Sequence, residues 1–126
     1  MNVIIDSSIL IDFTRSKKGY LPEILALKTD LFIPTVVVAE LWSGKSMSDK
    51  KEANIVEKML RGFKVVDLNK DIAKMTGGLL RTNQVSQAFD AVIAATALYL
   101  DAELATANKK HFEKVRGLKL FNPQKY

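Results

Sequence analysis

The chain has 126 residues, 48% hydrophobic and 26% charged, which suits one domain with a real apolar core and excludes a multidomain machine. It has no cysteine and a single histidine, His111, which excludes a disulfide scaffold, a thiolate nucleophile, iron–sulfur clusters and any Cys- or His-rich zinc site. The net charge of +5 resides entirely at the C-terminus, where Lys109, Lys110, Lys114, Arg116, Lys119 and Lys125 face Glu113 alone, while the two signs balance over residues 1–108. Such asymmetry fits contact with a polyanion or an acidic partner, and fits equally a solvated face that keeps a small protein soluble.

The first six residues carry no basic segment and meet an acid after three apolar positions, so they do not read as a secretory signal, and a cytoplasmic protein is expected. Val3-Ile4-Ile5 is β-branched and apolar, a buried strand that runs into the polar Asp6-Ser7-Ser8 and an amphipathic segment over residues 9–13. Residues 20–27, with Pro22 near the start, read as a helix. Leu31-Phe32-Ile33 reads as a second strand, closed by Pro34 at a helix N1 position, and the helix continues over residues 35–44.

Residues 49–61 form an amphipathic helix with Ile55, Met59 and Leu60 on its apolar side, ended by Gly62. A third strand spans residues 64–68, and Asn69 caps a helix running from Asp71 to about Leu80. Gly77-Gly78 weakens that helix by about 1 kcal/mol per glycine, which predicts close packing or a kink there. Residues 87–100 are apolar almost all round, so this helix is buried, yet its apolar run is far short of the ~20 residues of a membrane span. A strand at residues 103–106, a short helix at 109–115 and a final strand at 118–121 complete an alternation that implies an α/β fold, its mostly parallel sheet covered on both faces. Open sheets of this kind place their sites in the crevice at the carboxyl ends of the strands.

The common phosphate cradles are missing, as is the nucleophile elbow of serine hydrolases, so the chemistry must rest on acids. Six carboxylates have no Lys or Arg within four positions: Asp6, Glu23, Glu40, Asp90, Asp101 and Glu103. Glu23 suits the first turn of a helix, and Asp101 and Glu103 flank an exposed turn. Asp6, Glu40 and Asp90 lie in apolar company, where an ionised carboxylate is costly unless paired or metal-bound. Structural roles stand beside the functional one: a cap for Asp6, and a helix-dipole acid for Asp90.

If the three converge, a divalent cation resolves their repulsion. Oxygen ligands with neither Cys nor a ligating His select Mg²⁺ or Mn²⁺, which suits phosphodiester hydrolysis. Thr106 and Asn108 end a strand that faces the same crevice as Asp6, and Asn108 is also a good N-cap. Lys109 and Lys110 oppose the macrodipole of the helix they begin, a conflict that a bound anion removes. The Ser8 hydroxyl reaches Asp6 or a metal-bound water, or else caps the helix. His111 has no partner in sequence and reads as a surface residue, and Trp42 and Phe89 read as core.

Four segments then resemble, in order and spacing, the motifs of PIN-domain nucleases, and the total length resembles the VapC toxins of toxin–antitoxin pairs. They are Ile4-Ile5-Asp6-Ser7-Ser8-Ile9-Leu10, Val38-Ala39-Glu40-Leu41, Phe89-Asp90-Ala91-Val92-Ile93-Ala94-Ala95-Thr96-Ala97 and Leu104-Ala105-Thr106-Ala107-Asn108-Lys109-Lys110-His111-Phe112. The resemblance implies a single PIN domain over residues 1–126, a three-layer α/β/α fold with four to five strands, and a Mg²⁺- or Mn²⁺-dependent endoribonuclease. It also implies Asp6, Glu40 and Asp90 as the acidic, metal-holding cluster, a homodimer, and a cognate VapB-like antitoxin whose tail lies over the active site.

On this reading Asn108 completes the catalytic set, Ser8 and Thr106 support it, and Lys109 and Lys110 bind the RNA substrate. The family often carries a further Asp at the position matching Asn108 or His111. This chain has neither acid, and Asn108 is a neutral, weaker ligand for a second ion. Two other classes remain: an RNA-binding module without catalysis, marked by salt-sensitive binding indifferent to EDTA, and a protein-interaction domain without RNA affinity.

Overall fold

The computed structural model describes residues 2–125, without the side chain of Lys125, so Met1 and the end of the basic tail lie outside the described residues. Strand β1 (Asn2–Ile5) enters the interior at once: Val3, Ile4 and Ile5 are fully buried, as a strand covered on both faces must be. It pairs in parallel with β2 (Asp30–Pro34) on one side, in the register Val3 with Leu31, and with β4 (Glu103–Ala105) on the other, in the register Ile5 with Ala105. Beyond these lie β3 (Lys64–Val66) and β5 (Lys119–Leu120), giving a five-stranded sheet of order β3-β2-β1-β4-β5, with every pairing parallel.

That order carries functional meaning. The chain winds outward from β1 through β2 to β3 and later returns to the other side of β1 with β4 and β5. Connections leaving β1 and β4 therefore diverge, and a crevice opens at their carboxyl ends. Asp6 and Thr106 are the residues that follow these two strands.

The helices are α1 (Ser7–Ser16), α2 (Leu21–Leu25), α3 (Thr35–Trp42), α4 (Lys50–Leu60), α5 (Lys70–Arg81) and α6 (Ala88–Tyr99), with short 3₁₀ turns at Lys45–Ser48, Lys109–His111 and Pro123–Lys125. Helix α6 packs on β1, β2 and β4 and is covered in turn by α5 and α3, so seven consecutive residues, from Ala91 to Val92, Ile93, Ala94, Ala95, Thr96 and Ala97, are buried. Four of them are alanine, which lets the helix lie close to the sheet, and Thr96 satisfies its hydroxyl by donating to the Val92 carbonyl at 2.7 Å. The same core takes in Ile33, Leu104, Phe112 and Phe121, each worth about 2–3 kcal/mol of transfer free energy on burial.

Local chemistry sets most element ends as anticipated. Asn69 caps α5 by accepting from the Ile72 N–H at 2.8 Å, Asp49 caps α4 by accepting from the Lys51 N–H at 2.9 Å, and Glu23 sits in the first turn of α2. Several details differ. Pro34 is the N-cap of α3, with extended backbone, rather than N1: β2 pairing holds it in the sheet through its register with Val66. Val56 replaces Ile55 on the core side of α4, where Ile55 stays 49% exposed. The helix expected over residues 109–115 shrinks to the 3₁₀ turn at Lys109–His111, because Phe112 and Val115 are each pulled into the core and break the helical path.

Neither close packing nor a kink explains Gly77 and Gly78. Helix α5 is continuous; a Cβ at Gly77 would meet nothing within 4 Å, and at Gly78 its nearest neighbour would be Arg81 Nη2 at 3.9 Å. Gly77→Ala should therefore stabilise the protein by about 1 kcal/mol, through helix propensity and a less flexible unfolded chain. Thermal denaturation should show Tm rising by roughly 4 °C; a lower Tm would mean that something packs against this face in solution.

Candidate active site

Asp6 is 3% exposed and is the most completely enclosed acid of the crevice. It occupies the N-cap position of α1 but makes no side-chain cap bond, so its expected structural role is not the one the fold gives it. Its backbone N–H donates to the Ala105 carbonyl at 3.0 Å, which extends the β1–β4 pairing by one residue and carries the side chain into the switch point. There two hydroxyls converge on one oxygen: Thr106 Oγ1 donates to Asp6 Oδ2 at 2.7 Å, and Ser8 Oγ donates to the same oxygen at 3.0 Å. Hydrogen bonds from neutral donors to a carboxylate are among the stronger kinds, and two on one oxygen fix its orientation.

These hydroxyls are themselves oriented from behind. The Ala107 N–H donates to Ser8 Oγ at 3.0 Å, and the Asn108 N–H donates to Thr106 Oγ1 at 3.0 Å. With an acceptor role on each hydroxyl filled by backbone, the hydroxyl protons are committed to Asp6. The Tyr20 hydroxyl adds a brace from α2's N-terminal side by donating to the Thr106 carbonyl at 3.2 Å. Burial raises the Tyr20 pKa above the usual phenol value, that bond opposes the shift, and the charge on Asp6 adds to it, so Tyr20 remains a donor. Asp6 Oδ1 keeps only a long contact, 3.4 Å, from Ser7 Oγ.

Glu40 comes from the middle of α3 and Asp90 from the first turn of α6. Both have a pKa raised above the usual carboxylate value, first by burial and then by the charge on Asp6. For Glu40 the Ser7 hydroxyl pulls the other way and Asp90 adds a further rise; for Asp90 the opposing influence is His111. The three acids expected to converge therefore lie within one another's electrostatic field. Glu40 Oε1 is buried without a hydrogen-bond partner, an uncommon condition for a carboxylate oxygen and a costly one. Among the described residues, no three acidic or histidine side chains stand close enough to form a finished ligand cage.

Other expected positions distribute differently. Asn108 reaches the crevice through its backbone N–H alone; its side chain makes no cap bond on the short 3₁₀ turn that follows, and it is exposed. Ser8 is a ligand of Asp6 rather than a cap. Lys109 and Lys110 are exposed beside the site, and Lys109 lines a neighbouring cleft with Tyr20 and Phe121.

His111, expected to be partnerless, has its Nδ1 3.0 Å from Asp90 Oδ2, brought there by the 3₁₀ turn anchored on buried Phe112. Trp42 and Phe89, expected in the core, are 37% and 48% exposed; Trp42 is the last residue of α3 and Phe89 lies in the first turn of α6. Phe89 borders a groove with Ile11, Leu41, Met47 and Ile55 that has Glu40 at its edge. Sequence reading missed Ser7 and Tyr20. Ser7 offered a signal, a hydroxyl adjacent to Asp6, whereas nothing local links Tyr20 to Thr106.

A model of the PIN domain family matches residues 3–118. The chain is similar to ribonuclease VapC10 of Mycobacterium tuberculosis, with 31% identity over 123 residues that cover 93% of this chain and 90% of that protein. Its fold is similar to that of the DNA-bound VapBC of Salmonella typhimurium, with a TM-score of 0.84 and 23% identity over 98% of both chains. It is likewise similar to VapBC2 of Rickettsia felis bound to a fragment of its promoter, with a TM-score of 0.81 and 23% identity over 97% of this chain and 98% of that one. The acid-lined switch point thus stands in a chain that belongs to the PIN domain family, among its VapC members.

Proposed function

We propose that the chain is a divalent-metal-dependent endoribonuclease, the toxin of a toxin–antitoxin module, formed as a single PIN domain over residues 1–126. The observation that carries this reading is the gathering of Asp6, Glu40 and Asp90, from β1, α3 and α6, into one another's field with Glu40 Oε1 buried and unpartnered. An orphaned carboxylate oxygen among mutually repelling acids fits a cation. Mg²⁺ or Mn²⁺ suits an all-oxygen acidic set of this size, because such ions keep several waters and take only a few carboxylate oxygens.

Bound there, the ion supplies a water of lowered pKa and positive charge against the phosphate. Asp6 would offer Oδ1, which carries only the long Ser7 contact, and Asp90 would offer a second carboxylate ligand. Glu40 Oε1, with no partner among the described residues, would accept an O–H from the nucleophilic water and so orient it. Ser8 and Thr106 keep Asp6 in place. Asn108 serves the site through its backbone N–H on Thr106 Oγ1, and the exposed Lys109 and Lys110 hold the flanking RNA backbone.

Kinship with ribonuclease VapC10 supports the nuclease assignment, and likeness to chains solved as VapBC complexes supports a VapB-like antitoxin as partner. We assign the protein to the cytoplasm as a homodimer. No helix among the described residues is long and apolar enough to cross a membrane.

Purified, partner-free protein should cleave a mixed RNA substrate with Mg²⁺ or Mn²⁺ and not with EDTA. Asp6→Asn and Asp90→Asn should each lower cleavage by about a hundredfold or more with the circular-dichroism spectrum unchanged. If wild type and variants are equally inert yet bind RNA in a salt-sensitive, EDTA-indifferent way, the protein is a binding module; if they bind no RNA, it is an interaction domain.

A second expectation concerns stability. Glu40 and Asp90 have pKa values raised on folding, so the folded state holds more protons than the unfolded one. The metal-free protein should thus lose stability as pH climbs from about 4, the ordinary carboxylate value, through the raised values. Above that window metal-free Glu40→Gln should melt higher than wild type, and added Mg²⁺ should raise the wild-type Tm more than the variant's. Equal melting of the two metal-free proteins across the whole pH range would show that the acids do not repel.

A further inference from the structure

We propose that His111 is a nitrogen ligand of the ion held by this cluster, and that it biases the site toward first-row transition ions over Mg²⁺. The inference rests on the metal-dependent reading above and names the residue that sets its ion preference. Its starting point is a contact: His111 Nδ1 stands 3.0 Å from Asp90 Oδ2. Two neighbouring ligands of an octahedral ion, each about 2.1 Å from it, are about 3.0 Å apart. The pair, hydrogen-bonded in the metal-free protein, thus also has the separation of one ligand edge.

Placement favours the same role. The Asp90 side chain is 15% exposed and the imidazole 49%, so the ring sits on the solvent side of the acid and borders the entrance to the cluster. The turn Lys109–His111 and the adjoining Phe112, 1% exposed, hold the ring there. Asp6, by contrast, is occupied on its inner oxygen by Ser8 and Thr106, and Glu40 Oε1 is buried. Acids thus face the crevice from the end of β1 and from α3 and α6, and His111 approaches Asp90 from the segment following β4, beyond Thr106.

Donor type then decides selectivity. Mg²⁺ takes oxygen ligands and gives up its waters reluctantly, whereas imidazole suits first-row transition ions, whose affinity climbs from Mn²⁺ toward Ni²⁺. Nδ1 and Asp90 Oδ2 share a hydrogen bond in the metal-free protein. To hold the ion, Nδ1 would present its lone pair and the ring would carry its proton on Nε2.

The chain has one histidine and no cysteine, so a nitrogen of imidazole type bound to the ion can come only from His111. Protein free of any histidine tag, loaded with Mn²⁺, should show imidazole-nitrogen coupling in electron spin-echo envelope modulation, and His111→Asn should lose it. Competition between Mn²⁺ and Mg²⁺, followed by the free Mn²⁺ signal, should show the Mn²⁺ preference falling by about tenfold in His111→Asn. His111→Asp, with oxygen ligands alone, should bind Mg²⁺ more tightly than wild type. Bound Mn²⁺ without nitrogen coupling in the wild type would overturn the proposal and leave His111 as a hydrogen-bond partner of Asp90. No Mn²⁺ bound by the wild type would overturn both this proposal and the metal-dependent reading beneath it.

Discussion

Everything at the functional end of this protein depends on the fact that like charges have been placed together where water is scarce. Burial and the charge on Asp6 both push Glu40 and Asp90 toward their protonated forms, and a fold under no functional demand has little reason to accept that cost. The structure sustains it through its best-ordered part. The β1–β4 pairing runs one residue past the strands to Asp6, and the chain beyond β4 turns back so that its backbone N–H groups orient the two hydroxyls that hold the acid. Asp6 is thus anchored by β1, which it follows, and by the segment beyond β4, while Glu40 and Asp90 arrive on helices.

The remainder of the fold reads as support for that arrangement. Helix α6, buried over most of its length, fixes Asp90 against the sheet, and its alanines set how near the helix can come. Helix α3 packs on β2, α1 and α6, which leaves Glu40 on the face directed at the crevice with Oε1 buried. Around this rigid centre lie side chains with little packing to hold them: Phe89 and Trp42 at helix ends, Lys109 and Lys110 on a short turn, and the half-exposed ring of His111. A firmly held acidic floor with an exposed, partly aromatic and basic rim suits the endoribonuclease proposed above, because a reacting phosphate must be positioned to a fraction of an ångström while the rest of an RNA can be held loosely.

Much of this was legible in the sequence because the signals were local. Apolar β-branched runs, strand–helix alternation, the Asn69 cap and the all-round apolarity of α6 each reflect neighbours within a few residues, and the sheet follows from them. Asp6, Glu40 and Asp90 stood out through the absence of nearby cations in apolar surroundings, and four motifs in register tied them together. Readings failed where the outcome depended on distant contacts. Pro34 is held extended by its pairing with Val66, the turn after Asn108 is cut short by the pull of Phe112 and Val115 into the core, and Phe89 and Trp42, at helix ends, remain partly exposed.

The sequence alone therefore determined the fold class, the strand order's starting point at a buried β1, and the three acids, since these follow from residue type and spacing along the chain. Only the tertiary structure decided which oxygen of Asp6 is occupied, which oxygen of Glu40 is left without a partner, and that His111 meets Asp90 across 21 positions of sequence. Hydrogen-bond partners and ligand edges are set to tenths of an ångström by how strands and helices pack. A one-dimensional pattern records which groups are available, and only packing decides where their lone pairs and protons point.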